Sequence, residues 1–379
     1  MSPAPTELHE TLAALLRGEP RPWSAVGVDA ATFLAACAAE ALGPLLWHCL
    51  HDGPTLAGWP ASLRDALAET ARAAAATELL VQRELARVLA ALAAQGARPL
   101  LLKGTALAYG TYAHPGLRPR SDTDLLVRGS DLPLVRRVMD GLGYGAALQC
   151  DGDLLFRQFE LNRTDDLGLK HVLDFHWAIS TQAVFASLLT YDELWSRSTS
   201  LPALGQYAVG PGVIDALLLA LIHPVMHHRN EERLLWTYDV HLLARGLDAA
   251  QYAELVERAQ AKRIAAICAR GLERARDWLA TPVPEDVLDR LNTMPQSDQP
   301  TASYLTTGRA WLDETSASLR GLGSWRERLR LVKEIAFPKP AYMLRAYGMT
   351  SARWSKALLP ALYAHRGVRG VARVLMRRK

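Results

Sequence analysis

Apolar residues recur at helical spacing through residues 7–50, and the pattern is broken at 18–23 by Pro20 and Pro22, where the missing backbone donor and fixed φ interrupt a helix. Residues 63–95 are alanine-rich and almost free of breakers, which predicts one long helix packed on a core and ended by Gly96. From Arg98 to about Ser180 the pattern switches to short alternating segments. Strands are expected at 99–103, 124–128, 154–161 and 170–179, and helices at 105–112 and 132–142, the latter capped by Asp131 or Ser130 and ended by Gly143. Beyond 202–212 the chain reads as helical, with a polar break at 293–300. The expectation is an α+β protein: a small mixed sheet flanked by N- and C-terminal helical subdomains, divided as 1–95, 96–200 and 201–379, with acidic residues along one sheet edge.

Composition changes this picture little. Half of the 379 residues are hydrophobic, ample for two or three subdomain cores. The net charge of +4 is only a weak push toward anionic partners. Cys37, Cys49, Cys150 and Cys268 have neither metal-like nor disulfide-like spacing, as expected for reduced thiols. The first residues lack the basic and apolar regions of a signal peptide, and the longest apolar run, 216–222, is too short to span a bilayer. A cytoplasmic protein without a transmembrane segment is expected.

The chemistry gathers between residues 101 and 177. Asp122 and Asp124 stand one residue apart at the start of an apolar run. In a strand, side chains at i and i+2 share a face about 6–7 Å apart, so the two carboxylates can converge on one divalent ion or straddle two. Mg²⁺, held by carboxylates and substrate phosphates, suits such a site. Upstream, Leu101-Leu102-Lys103-Gly104-Thr105 reads as a strand, a glycine turn and a helix start, an arrangement that offers backbone N–H groups to an anion such as a triphosphate. Lys103, Arg118 and Arg120 lie within reach of the same loop and can neutralise phosphate oxygens. Downstream, His171-Val172-Leu173-Asp174-Phe175-His176-Trp177 reads as a strand with Val172, Asp174 and His176 on one face and Leu173, Phe175 and Trp177 on the other. An acid inside such a strand is costly to bury unless it binds something.

The glycine turn, the Asp-x-Asp at a strand start and the third Asp on a later strand resemble the nucleotidyltransferase superfamily typified by DNA polymerase beta. Leu-Lys-Gly followed by Arg120-Ser121-Asp122-Thr123-Asp124-Leu125-Leu126-Val127 and by Asp174-Phe175-His176-Trp177 is similar, more closely, to a bacterial branch labelled uncharacterised nucleotidyltransferase. His223-Pro224-Val225-Met226-His227, then Arg233, Trp236 and Asp239, and Phe337-Pro338 with a basic helical tail extend the likeness over about residues 30–375. The resemblance implies a nucleotidyltransferase core in which Asp122, Asp124 and Asp174 are catalytic metal ligands. It puts Gly104 and Thr105 at the phosphate-binding turn, a Gly-Ser elsewhere in the superfamily, with Lys103, Arg118, Arg120 and Ser121 around the donor. It implies Mg²⁺, with Mn²⁺ as its substitute, and an NTP donor, with ATP the first expectation. The acceptor is expected to be a small molecule or biosynthetic intermediate; a toxin-like transferase acting on tRNA or protein, and a catalytically silent nucleotide-binding scaffold, stay open as alternatives.

His176, His223, His227 and Asp239 are candidate substrate contacts. His223 and His227 are four residues apart and share a helix face, a spacing compatible with a metal, but Pro224 sets His223 at a kink or near a helix N-terminus, which favours packing or substrate contact. Asp239 is expected to pair with Arg233 or a histidine. Residues 351–379 hold Arg353, Lys356, Arg366, Arg369, Arg373, Arg377, Arg378 and Lys379 and no acid, interleaved with Val368, Val371, Val374 and Leu375. Such a helix can touch an anionic membrane surface or an RNA backbone. A docked helix with a charged outer face is favoured, because Gly367 and Gly370 weaken an independent one.

Overall fold

The computed structural model describes residues 7–146, 156–306, 319, 322–349 and 355–376. Four helices lead the chain, α1 (Glu7–Leu16), α2 (Ala30–Ala39), α3 (Gly43–Leu50) and α4 (Pro54–Ala57), followed by the long α5 (Ala61–Ala94). At 1.5 Å per residue α5 runs about 50 Å, and it stops where Gly96 takes φ +87°. The mixed region follows as β1 (Leu100–Leu101), α6 (Lys103–Gly110), β2 (Thr123–Leu126), α7 (Leu132–Gly141), β3 (Gly145–Ala146), β4 (Gln158–Thr164), β5 (Lys170–His176), α8 (Ala183–Ala186) and α9 (Tyr191–Ser196). A ribbon of β6 (Thr199–Ser200) and β7 (Val209–Gly210) leads to α10 (Val213–His227), α11 (Leu234–Ala244), α12 (Ala249–Ala261), α13 (Ala265–Leu279) and α14 (Glu285–Asn292), then α15 (Trp325–Ala336), α16 (Pro340–Ala346) and α17 (Leu359–Met376). The architecture is α+β, a five-stranded mixed sheet flanked by helices on both sides in sequence.

The sheet order is β1-β2-β5-β4-β3. β2 and β5 are parallel, with Asp124 opposite Asp174 and Leu126 opposite His176; β5 and β4 are antiparallel, with Glu160 opposite Asp174. Period-two alternation divides the apolar residues between two cores. Leu100, Leu102 and Leu126 join the larger one, in which Leu12, Phe33, Leu46 and Leu63 pack together with Leu217, Leu255 and Leu272. Leu101, Leu125, Val127 and Phe175 join the smaller one, with Leu85 and Leu89 of α5 and Val135 and Met139 of α7. Asp124, two residues from Leu126, therefore faces the side of the sheet that the larger core covers.

The expected helices and strands of the mixed region are present within a few residues, although the start of the 154–161 strand lies outside the described residues. The acids do not follow a sheet edge: Asp124 and Asp174 lie on neighbouring interior strands, because the parallel pairing of β2 and β5 is bordered by β1 and β4. Neither expected cap closes the start of α7. Asp131 makes no capping bond and accepts the Ser130 hydroxyl at 2.9 Å; Pro133, whose fixed φ suits a first turn, stands there instead. Nor is His223 near a helix N-terminus. Pro224 lies inside α10 and His223 is about one turn from its C-terminal end, where the Pro224 carbonyl accepts the N–H of His228 and of Asn230. Among the described residues, no single helix is long and apolar enough to cross a membrane; the 216–222 run is the buried middle of α10. Cys37, Cys49 and Cys268 are free thiols, and Cys150 lies outside the described residues, as do Arg353 and residues 377–379 of the basic tail.

Candidate functional site

Lys103 opens α6 with φ +47°, a left-handed conformation that a residue with a Cβ adopts at a cost of about 1–2 kcal/mol. Its ammonium reaches back to β2 and donates to Asp124 Oδ1 at 2.7 Å. From β5, His176 Nε2 donates to the same oxygen at 2.8 Å. Asp124 is 5 % exposed and His176 1 %. Burial opposes the charge on Asp124, but Lys103 and the His176 hydrogen bond outweigh it and hold the carboxyl far below the usual carboxylate range. Burial and the neighbouring Lys103 lower the His176 pKa, which keeps the imidazole neutral.

Asp174 has the opposite environment. Burial, then repulsion from Asp124 and Asp122, pushes its carboxyl up to about 7. Among the described residues its Oδ1 is buried without a hydrogen-bond partner, and Oδ2 has only a long contact of 3.4 Å from Gln158. A buried acceptor left unpaired costs roughly 1–3 kcal/mol, so this atom is suited to a cation or a proton. Asp124, Asp174 and His176 each present a ligand atom within 4.8 Å of the others. The two carboxylates can hold a divalent cation such as Mg²⁺ or Mn²⁺, with the His176 Nε2–H orienting Asp124. Asp122 precedes β2 rather than lying in it, and its carboxyl is raised by burial and by Asp124. It lines a cleft of about 280 Å³ together with Glu78, Arg120, Ser121 and Val172.

The turn before α6 is tight. A Cβ on Gly104 would come within 3.2 Å of the Arg118 guanidinium, so glycine permits the arginine to lie against the turn. The Thr105 hydroxyl is buried and has no hydrogen-bond partner among the described residues. Arg118 and Arg120, expected around the donor, are each held by a carboxylate. Arg118 grips Asp239 through Nε (3.0 Å) and Nη2 (2.8 Å), with the Tyr112 hydroxyl donating to Asp239 at 2.7 Å. Arg120 forms a two-point pair with Glu78, both contacts 2.7 Å, and Tyr109 also donates to Glu78. Ser121 is exposed.

The partner of Asp239 is thus neither Arg233, which binds Glu231 at 3.0 Å, nor a histidine. The fold brings α11 against the 115–120 turn, and the buried carboxylate takes the cation it meets there. His223 and His227 come close to the carboxylates from α10. Burial, with Lys103 next, lowers both pKa values, His223 well below its ordinary value and His227 to about 3. His227 Nε2 donates to the Ile179 carbonyl at 3.2 Å. His223 Nδ1 is buried without a partner among the described residues, and its ring packs edge-on against Trp236 at 5.3 Å, beside a cavity of about 30 Å³ that Lys103, Gly104, Arg118 and Asp239 also line.

Lys103, Asp124, Asp174 and His176 are therefore brought together, with Asp122 at their margin. Glu160, opposite Asp174 and contributing to its raised pKa, was not among the expected site residues. The alternation of Gln158, Glu160 and Asn162 with buried Phe159 and Leu161 is the signal that would have marked it as sharing the face of Asp174.

No curated protein matches the chain. A model of the uncharacterised nucleotidyltransferase family matches residues 27–280, which include all the residues of this site and end before the Phe337-Pro338 stretch. With two thirds of its length matched, the chain belongs to the uncharacterised nucleotidyltransferase family.

Proposed function

We propose that the protein transfers a nucleoside monophosphate from an NTP to a hydroxyl-bearing small molecule or biosynthetic intermediate, with release of pyrophosphate, and that the reaction depends on a divalent metal. The observation that supports this most is the convergence of Asp124, Asp174 and His176 within 4.8 Å on two adjacent strands in a chain of a nucleotidyltransferase family. Asp124 and Asp174, with Asp122 beside them, would hold Mg²⁺ or Mn²⁺. When bound, the cation would neutralise charge on the triphosphate as the α-phosphorus is attacked.

The chain's own residues supply the positioning. His176 fixes the orientation of the Asp124 carboxylate through its 2.8 Å hydrogen bond. The Thr105 hydroxyl and the backbone N–H groups at the start of α6 would donate to phosphate oxygens. Asp174, whose Oδ1 has no other partner among the described residues, would complete the metal site or accept the proton of the acceptor hydroxyl. ATP is the first donor to test.

Calorimetric titration with ATP, GTP, CTP and UTP, with and without Mg²⁺, tests the reading directly. Magnesium-dependent binding of one nucleotide is expected, lost in an Asp122→Ala/Asp124→Ala double variant. With an acceptor in hand, Asp124→Asn is expected to lower turnover at least ~100-fold, the scale on which a positioned electrostatic group acts, while the fold survives. Nucleotide binding that is indifferent to metal and to both substitutions would remove the mechanism.

A further inference from the structure

Three cations stand near the phosphate turn in sequence, but the fold gives them different tasks. Arg118 is spent on Asp239 and Arg120 on Glu78. Lys103 lies on the carboxylate that the preceding reading assigns to the metal, 2.7 Å from Asp124 Oδ1. Its aim depends on the left-handed backbone at residue 103, one position before Gly104. An ammonium and a divalent cation that contact the same carboxylate repel each other, and inside a poorly screened site that repulsion is large. Lys103 and a divalent cation would therefore compete for Asp124.

Resting on that reading of the site, we infer that Lys103 is a transferable counter-ion that makes metal and nucleotide bind together. Without nucleotide its ammonium neutralises Asp124 and keeps a divalent cation out. When a triphosphate enters at the α6 N-terminus, next to Lys103 itself, the ammonium turns to the phosphate oxygens and leaves Asp124 with the His176 hydrogen bond alone. The Lys103 side chain is 19 % exposed and unbranched, so it can swing without moving α6. His176 stays on Asp124 throughout and keeps that carboxylate in place. Lys103 is a positioning residue in this scheme: it acts on the metal site through Asp124 and on the donor through charge.

Coupling of this kind is reciprocal, so it can be read from the metal side without any turnover. The experiment measures Mn²⁺ binding by electron paramagnetic resonance in the wild type, Lys103→Met, Lys103→Arg and Asp124→Asn, each with and without ATP, after thermal unfolding has confirmed that each variant is folded. In the wild type ATP is expected to tighten Mn²⁺ binding at least ~100-fold. Lys103→Met, which keeps the stem and removes the charge, should bind Mn²⁺ alone at least ~10-fold more tightly than the wild type, and ATP should add less than ~10-fold. Lys103→Arg should restore most of the coupling. Wild-type protein that binds Mn²⁺ equally well with and without ATP overturns the inference without any variant, as does unchanged coupling in Lys103→Met. Either result leaves the metal site standing. Wild-type-like Mn²⁺ binding by Asp124→Asn instead removes the assignment of the metal to these carboxylates, and the inference with it.

Discussion

His227 brings a neutral imidazole into the packing between α10 and the segment that follows β5, where its Nε2–H meets the Ile179 carbonyl. Burial holds its pKa at about 3, against an ordinary value of 6.5. The unfolded chain therefore takes up a proton at this residue before the folded one does. A depressed pKa of this kind supplies stability that is present above pH 6.5 and is lost progressively as the pH falls toward 3. Between pH 7 and pH 5 the loss from this residue is about 2 kcal/mol. In His227→Gln that share of the acid sensitivity should vanish, so urea unfolding at pH 7 and pH 5 should differ by about 2 kcal/mol less than in the wild type. An identical pH dependence in the two proteins would mean that His227 is solvated or protonated in the folded state.

The turn at 115–117 is pressed against α5 at an approach that glycine permits. A Cβ on Gly116 would stand 3.2 Å from the Ala75 Cα and 3.4 Å from its nitrogen, backbone atoms that cannot step aside as a flexible side chain would. This approach brings the 118–120 segment to Glu78 of α5, and so fixes the Arg120–Glu78 pair. Gly116→Val is expected to destabilise the protein by about 1–3 kcal/mol, the usual cost of overpacking, whereas Gly129→Ala, with open space around the added methyl, should stay within about 0.5 kcal/mol; chemical denaturation of the two variants checks the contrast. At this scale the sequence was legible wherever the signal was local. The alanine-rich run announced α5, and alternation announced β5 and the face shared by Asp174 and His176. The two-residue strands β6 and β7 are too short to show a period. The pairs Arg118–Asp239 and Arg120–Glu78 join residues 121 and 42 positions apart, and only the fold decides which carboxylate each arginine meets. The Lys103–Asp124 contact was illegible for a related reason: the pattern placed both residues at one loop but could not tell a cation waiting for phosphate from one already resting on a carboxylate.

The larger core borders the carboxylates through Leu100 and Leu126, and N- and C-terminal helices build it together: Leu12, Phe33 and Leu46 share it with Leu217, Leu255 and Leu272. The mixed segment 96–200 contributes Leu100, Leu102, Leu107, Tyr112, Leu126, Ile179, Phe185, Leu189, Tyr191 and Leu194 to that same core. Exposing a buried side chain of this size costs about 1.5–3 kcal/mol, so the ten together exceed the roughly 5–15 kcal/mol that ordinarily separates a folded domain from its unfolded state. The smaller core on the other face cannot compensate, because Leu85, Val88, Leu89 and Leu92 come from α5, which 96–200 omits. The segment that carries Asp122, Asp124 and Asp174 is therefore expected to need both helical regions to fold, and the site to exist only in the larger assembly. Expressed alone, 96–200 should give no cooperative thermal transition and no Mn²⁺ binding in the presence of ATP, whereas 7–306, which retains both cores, should unfold in a single transition near that of the full chain. A sharp transition and metal binding by the 96–200 fragment would show instead that the sheet is a self-sufficient domain on which the helices are merely docked.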